Sequence, residues 1–244
     1  MKWETHRRIT RAVCSGFGLS SSAEIVEACI LPDKQPDYTY RAGRRRIYRV
    51  RVPHHGYEAA NLAFDYLKKA RKAYLRADGR YKEYLGRALH YIQDCSVDPN
   101  EKLWIFSFRS DQAHNGREDA ATSLRVPEEA IKAGFSETCT PSRVKDLIRY
   151  MKPRKSPEEI MVLATYLSAI AVKAVFAPDK TPGAEEKYRK ALKIHLVLVL
   201  APFLILLSGL TALNFVLAMI LSGIVHMLDF YYHKWKLECE WFKP

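Results

Sequence analysis

At 244 residues the chain can bury one good core and a small appendage, which limits it to one soluble domain with something added. Lys and Arg outnumber Asp and Glu by 39 to 27, a net charge of +12 that favours phosphate-bearing partners such as anionic lipid or nucleic acid and does not choose between them. The five cysteines, Cys14, Cys29, Cys95, Cys139 and Cys239, contain no C-x-x-C pair, which excludes a thiolate zinc site and a disulfide framework and fits a reducing compartment.

The start, MKWETHRRITRAV, is charged from its second residue and holds no apolar run, so no secretory leader is expected. Apolar positions Trp3, Ile9 and Val13, then Ile25, Val26 and Cys29, predict two helices parted by a Gly/Ser break over 15–22. Ser21 with Glu24 reads as the capping box of the second. His6 falls in the first turn, beside Arg7 and Arg8. Next, LPDKQPDYTYRAGRRRIYRVRVPHHGY reads as a long loop containing a short hairpin, and loops of that length in compact domains are usually functional. It offers Asp33, Asp37, His54 and His55 as oxygen or nitrogen ligands, and between them Arg44, Arg45, Arg46, Arg49 and Arg51 would steer phosphate.

Residues 57–77 form a helix by the spacing of Ala59, Ala60, Ala63, Leu67, Ala70 and Tyr74. After Asp78-Gly79 the pattern repeats over 81–97 through Tyr84, Leu85, Ala88, Leu89 and Ile92. His90 and Asp94 ride this apolar helix four residues apart, on one face, where an unpaired charge is costly. A metal ion or a hydrogen-bonded partner would relieve that cost. Asp98-Pro99 ends the helix, 101–109 is an aromatic linker with Trp104, Phe106 and Phe108, and helix resumes over 114–123. There His114 and Glu118 again stand four apart, so the segment carries two half-sites, each able to hold one divalent cation.

Pro127, Pro141 and Pro157 each mark the first position of a later helix. The last of these, 158–177, is apolar, but Lys173 shortens its uninterrupted run and predicts a core helix. From Ile194 to Leu228 there is no Lys, Arg, Asp or Glu, room for two short membrane spans with a turn at Ser208, Gly209 and Thr211 and a kink at Pro202. Basic residues flank the run on both sides (Lys187, Arg189, Lys190 and Lys193; Lys234 and Lys236), which predicts both flanks, and the domain before them, on the cytoplasmic side. Tyr231, Tyr232, Trp235 and Trp241 suit an interfacial anchor, and His226, Asp229 and His233 read as interfacial polar residues rather than a ligand trio.

HYIQDCSVDPN followed by HNGRE resembles the zinc-dependent phospholipase C and single-strand-specific nuclease family, whose core reads His-x3-Asp-x5-His-x13-His-x3-Glu/Asp. His90, Asp94, His114 and Glu118 match in type and spacing. The resemblance implies a helical domain holding up to three zinc ions that jointly hydrolyse a phosphate ester. It further implies an upstream Asp–His pair, here Asp37 with His54 or His55, Asp37 bridging ions or acting as general base. The family also draws ligands from the backbone of its first residue and a nearby His, and Met1 with His6 has that spacing. Two features depart: the expected middle His is Asn100, which would weaken one zinc site, and the family's first residue is a Trp whereas Trp3 is not first here. The resemblance covers about the first 120 residues and does not reach the apolar tail.

The sequence therefore predicts an all-α protein: a helical zinc-enzyme-like domain over 1–182, a basic linker over 183–193, a two-helix transmembrane hairpin over 194–228 and an interfacial tail over 229–244. The implied function is a membrane-anchored, zinc-dependent phosphodiester hydrolase acting on phospholipid or a related phosphate ester, with membrane lipid as its partner. The alternatives are a single-strand nuclease-like hydrolase, with Trp104 to Phe108 stacking on bases, and a metal-binding membrane protein without activity.

Overall fold

A computed structural model describes the whole chain except Ser21, Arg45, Trp104 and Ile105, and describes the backbone alone over 101–109. The expected capping box, the middle of the arginine run and the tip of the aromatic linker thus fall on residues outside the description. The fold is all-α, with two small antiparallel hairpins, and the chain divides into two compact units, Met1–Asp179 and Lys180–Lys243.

The first unit is built around helix α5 (Tyr81–Cys95), in which every residue from Leu85 to Cys95 is buried. A helix buried on all sides, with its few polar side chains needing partners inside, requires neighbours on all sides. They are α1 (Trp3–Gly16), α2 (Ala23–Ala28), α4 (Tyr57–Leu75) and α9 (Pro157–Phe176), with the single turn α3 (Leu31–Lys34) at its edge. Gly86 sets the closest approach, because a Cβ there would lie 2.4 Å from Ala28 Cβ and 2.7 Å from the Ala28 carbonyl carbon. Helices α6 (Asp111–Ser123), α7 (Glu128–Ser136) and α8 (Pro141–Arg149) complete the unit. Pro141 and Pro157 occupy first helical positions as expected, whereas Pro127 is the N-cap residue, its backbone extended.

Of two extended stretches, the first is the short hairpin expected within a loop, and only the second, the aromatic linker, differs from the sequence expectation. The long arginine-rich segment carries β1 (Tyr38–Ala42) and β2 (Ile47–Arg51), antiparallel, with Tyr38 opposite Arg51 and Ala42 opposite Ile47. The aromatic linker is also a hairpin, β3 (Asn100–Leu103) with β4 (Phe106–Arg109). Both segments are rich in aromatic or β-branched residues, which favour extended backbone even where neighbouring Pro, Gly and charge suggest a loop.

In the second unit, α10 (Ala184–Leu200) continues as a 3-10 segment, Ala201–Ser208, and is followed by α11 (Ala212–Leu228) and α12 (Phe230–Glu240). Pro157–Phe176 and Ala184–Ser208 are both long and apolar enough to cross a membrane, and α11 passes the same test only jointly with α12, the pair bent by 58°. Burial separates the first two: 67 % of the most apolar window of Pro157–Phe176 is buried against 11 % for Ala184–Ser208. The former is a core helix; the latter, with α11, leaves Leu207, Leu210 and Leu213 at 74–90 % exposure. Gly209, at φ 145°, makes the turn between them, a conformation that favours glycine. His195 Nδ1 donates to Asp229 (2.8 Å), His195 Nε2 meets His226 Nδ1 (3.0 Å), and His233 Nε2 donates to the His226 carbonyl (2.7 Å). Among the described residues these form a hydrogen-bonded network and not a metal-ligand group.

Gly86→Ala forces a methyl group into the backbone of α2 and is expected to destabilise the first unit by roughly 1–3 kcal/mol. Denaturant unfolding of the variant checks this, and an unchanged midpoint would place α2 elsewhere.

Candidate metal centre

His90 and Asp94 reach the middle of the first unit because four residues of α5 make one turn and a little more, so both side chains leave the same face. Four other segments bring polar groups to them. α1 supplies His6, and the Met1 amine donates to Asp94 Oδ1 and to Glu118 Oε1 (2.6 Å). The turn before α4 supplies His54 and His55, α3 supplies Asp33, and α6 supplies His114 and Glu118. The result is three groups, in each of which the donor atoms lie within 4.8 Å of one another: His6, Asp33 and His90; His54, His90 and Asp94, which shares His90 with the first; and His55, His114 and Glu118.

Hydrogen bonds behind the rings fix which nitrogen faces inward. His90 Nδ1 donates to the Cys29 carbonyl (2.9 Å), and His55 Nδ1 donates to the Asp94 carbonyl (2.8 Å). The Gln93 amide donates to Thr10 and Ser168, so its oxygen accepts from His6 Nδ1 (2.6 Å). In each case the proton sits on Nδ1 and the lone pair on Nε2 is turned toward a carboxylate or another ring, as when a hydrogen bond behind the ring orients a metal-ligating histidine. His6 Nε2 is buried with no hydrogen-bond partner, 3.2 Å from Asp94 Oδ1. His114 Nδ1 is likewise buried without a partner, while its Nε2 lies 3.1 Å from Glu118. At His6, a lone pair facing a carboxylate oxygen across such a gap is satisfied only by a proton or a cation. His54 differs, since Arg51 donates to its Nε2 (2.9 Å) and its Nδ1 proton points at Asp94 Oδ2 (2.8 Å). That proton is the one a cation in the His54, His90 and Asp94 group would displace. The donor set of imidazole and carboxylate fits a divalent transition metal at each group.

The electrostatics are those of a cluster that gathers positive charge. Burial pushes the Asp94 carboxyl up, but the Met1 amine, His90 and His6 outweigh it and hold the group well below the usual carboxylate range. Burial likewise opposes Glu118, yet the hydrogen bond from His114 and the Met1 amine bring it down to about 2. Burial pushes His55 down to about 4 and lowers His6 as well, so both rings are neutral at physiological pH, the form that ligates.

The structure distributes the sequence-predicted residues more finely than their spacing allowed. His54 and His55 were alternatives for one position, and each joins a different group. His55 stands beside His114 and Glu118, the pair expected to lack a nitrogen because of Asn100. The Asn100 backbone N–H donates to the Asp98 carboxylate and its backbone carbonyl accepts from Arg117. Asp37, expected as bridging ligand or base, is held away by the Tyr66 hydroxyl, the Tyr91 hydroxyl (2.9 Å) and Arg87 (3.3 Å), and no metal group among the described residues includes it. Asp33, four residues earlier, takes the place: its Oδ1 lies 3.6 Å from His54 and 4.0 Å from His90, and Trp3 Nε1 donates to its Oδ2 (2.8 Å). Spacing missed the roles of Gln93 and Trp3, although a glutamine on an otherwise apolar helix face was a signal of buried hydrogen bonding. No family model, curated protein or solved structure matches this chain.

Asp37→Asn is expected to lower stability by roughly 1–3 kcal/mol, through the weakened bonds to Tyr66, Tyr91 and Arg87, and to leave metal content unchanged. His55→Ala is expected to do the reverse for metal, lowering the bound stoichiometry by one ion. Elemental analysis of both purified variants decides, and loss of metal in Asp37→Asn with none in His55→Ala would reverse the two assignments.

In the metal-free protein, the His55 ring titrates near 6.5 when unfolded and at about 4 when folded, so the unfolded chain binds the extra proton between those values. Stability is therefore full above about pH 6.5 and falls as pH drops toward 4, a contribution on the order of 3 kcal/mol at about 1.4 kcal/mol per pH unit. Thermal unfolding of chelator-treated protein should show this slope, and His55→Ala should flatten it; a slope unchanged in that variant would assign it to other groups.

Proposed function

We propose that the first unit is a zinc-dependent phosphoric ester hydrolase of the phospholipase C type, anchored by the apolar helices of the second unit with its catalytic side in the cytoplasm. The observation that carries this reading is the set of three His/carboxylate groups built on Asp33, Asp94 and Glu118, with lone pairs of His6, His55 and His90 turned inward. A mixed imidazole and carboxylate set favours zinc over magnesium, which prefers oxygen alone. Zinc, when bound, would supply Lewis acidity toward phosphate oxygens and make water a stronger acid.

The chain's own residues supply the rest. Asp94 and Glu118 hold concentrated negative charge in a buried place, and α5 keeps Asp94 from moving. Asp33 is the most accessible carboxylate of the groups, its side chain 24 % exposed against 3 % for Asp94 and 11 % for Glu118, which suits it to accept a proton at the solvent side. Arg51, half exposed and within reach of both Asp33 and His54, is placed to orient a phosphate oxygen. Positive charge before and after the apolar run supports the cytoplasmic orientation.

His90→Ala and Asp94→Ala are each expected to lower hydrolysis by about 100-fold or more and to reduce bound zinc. The assay compares headgroup release from phospholipid in mixed micelles with cleavage of single-stranded DNA. Activity on the lipid that falls with zinc content supports the reading; preference for DNA transfers it to the nuclease branch. Unchanged zinc and activity in both variants would overturn it.

A further inference from the structure

The β1–β2 ribbon carries an uncovered face. Residues directly opposite in an antiparallel pair share a face, as do alternate residues of one strand. One face therefore holds Tyr38, Tyr40 and Ala42 and, across from them, Arg51, Arg49 and Ile47. Tyr40 is 73 % exposed and Ile47 72 %, large side chains left in water on a two-stranded ribbon that has little stability to spare. Charge surrounds them: the Arg49 guanidinium lies 3.7 Å over the Tyr38 ring, and Arg44 and Arg46 are exposed at the turn. Arg41 has its own carboxylate, Glu58, at 2.7 Å. Among the described residues, no carboxylate pairs with Arg44, Arg46 or Arg49.

An ordinary solvated charge cluster would not set a bare isoleucine and a bare tyrosine between unpaired arginines. A nucleic acid would take the arginines and stack on the tyrosine, but gives Ile47 nothing. The headgroup region of an anionic bilayer serves all three: tyrosine rings settle at the boundary, isoleucine enters the acyl edge, and guanidinium binds lipid phosphate. The same chain carries apolar helices long enough to cross a membrane, and a covalent tether alone raises the local concentration of lipid at every exposed surface of the first unit.

We propose that this face of the hairpin docks on anionic phospholipid, with Tyr40 and Ile47 entering the headgroup boundary and Arg44, Arg46 and Arg49 engaging phosphates. Arg51 closes the same face beside His54, so lipid phosphate held there lies next to the candidate metal groups. The docking does not depend on hydrolysis and holds whether or not the metal groups are catalytic.

The test uses the full chain in lipid nanodiscs, with an environment-sensitive fluorophore on Ile47→Cys; the native cysteines are all buried. Discs of phosphatidylcholine are compared with discs that also contain phosphatidylglycerol, and a second label on Lys132→Cys, whose parent side chain is 68 % exposed, serves as reference. The expected result is a blue-shifted emission and quenching by doxyl lipid at position 47 in the anionic discs, reversed by high salt. Each surface cation contributes about fivefold to binding an anionic leaflet, so Arg44→Glu, Arg46→Glu and Arg49→Glu together should lower the docked population roughly 100-fold or more. A label at 47 as exposed in anionic discs as the reference label would overturn the proposal, and so would protection by a single-stranded oligonucleotide in place of lipid. Far-UV circular dichroism and thermal unfolding of the same variants confirm that they are folded, and neither zinc content nor turnover is used.

Discussion

A buried carboxylate is one of the more expensive groups a protein can carry, and Asp94, 2 % exposed in the middle of α5, is one. Its two oxygens and its backbone carbonyl engage the Met1 amine, His6, His54, His90 and His55, contributed by segments far apart in sequence. Satisfying that charge therefore requires α1, the turn before α4 and α5 to meet at one point. The enclosing α2, α4 and α9 pack around α5 because its residues from Leu85 to Cys95, most of them apolar, are buried on all sides. Packing and charge compensation here select the same arrangement.

The ring-orienting bonds deepen this coupling. The carbonyl that orients His90 belongs to Cys29, just past the end of α2, and Gly86 lets that end approach α5. The glutamine that orients His6 is held by Thr10 of α1 and Ser168 of α9. The donors a metal would need are thus aimed by the contacts that hold the helices together. Such preorganisation lowers the conformational cost of ligation and also means that the metal-free state keeps its lone pairs facing carboxylates.

Helical spacing made His90 with Asp94 and His114 with Glu118 readable, since a residue and its fourth neighbour always share a face. Outside helices no such rule operates. His54 and His55 are adjacent on an irregular turn, and adjacent side chains there point in different directions, so their separate destinations could not be deduced. Asp33 and Asp37 were equal candidates by composition, and tertiary contacts decided between them: Tyr66, Tyr91 and Arg87 on α4 and α5 take Asp37, while Trp3 takes Asp33. The first hairpin was legible within its loop, whereas the second was hidden because 101–109 follows the helix-ending Asp98-Pro99 and is too short for its aromatic residues to establish a strand pattern. The apolar tail was legible in composition, but its first helix starts at Ala184, since a helix continues through charged residues as readily as through leucine.

Arg51 joins the two anion-seeking features of the first unit. It ends β2 on the uncovered face, opposite Tyr38, and its guanidinium contacts His54 and lies 4.0 Å from Asp33. Arginine has five donors in a planar fork and no acceptor, so these contacts leave donors available for an incoming phosphate. While it donates to His54 Nε2, it also holds the His54 proton on Nδ1, toward Asp94. Withdrawal of Arg51 onto a phosphate would free Nε2 to carry that proton and leave Nδ1 with a lone pair, the state a metal ligand needs. An anion bound on the hairpin face and a metal held by His54 would then be linked through one side chain, each favouring the other.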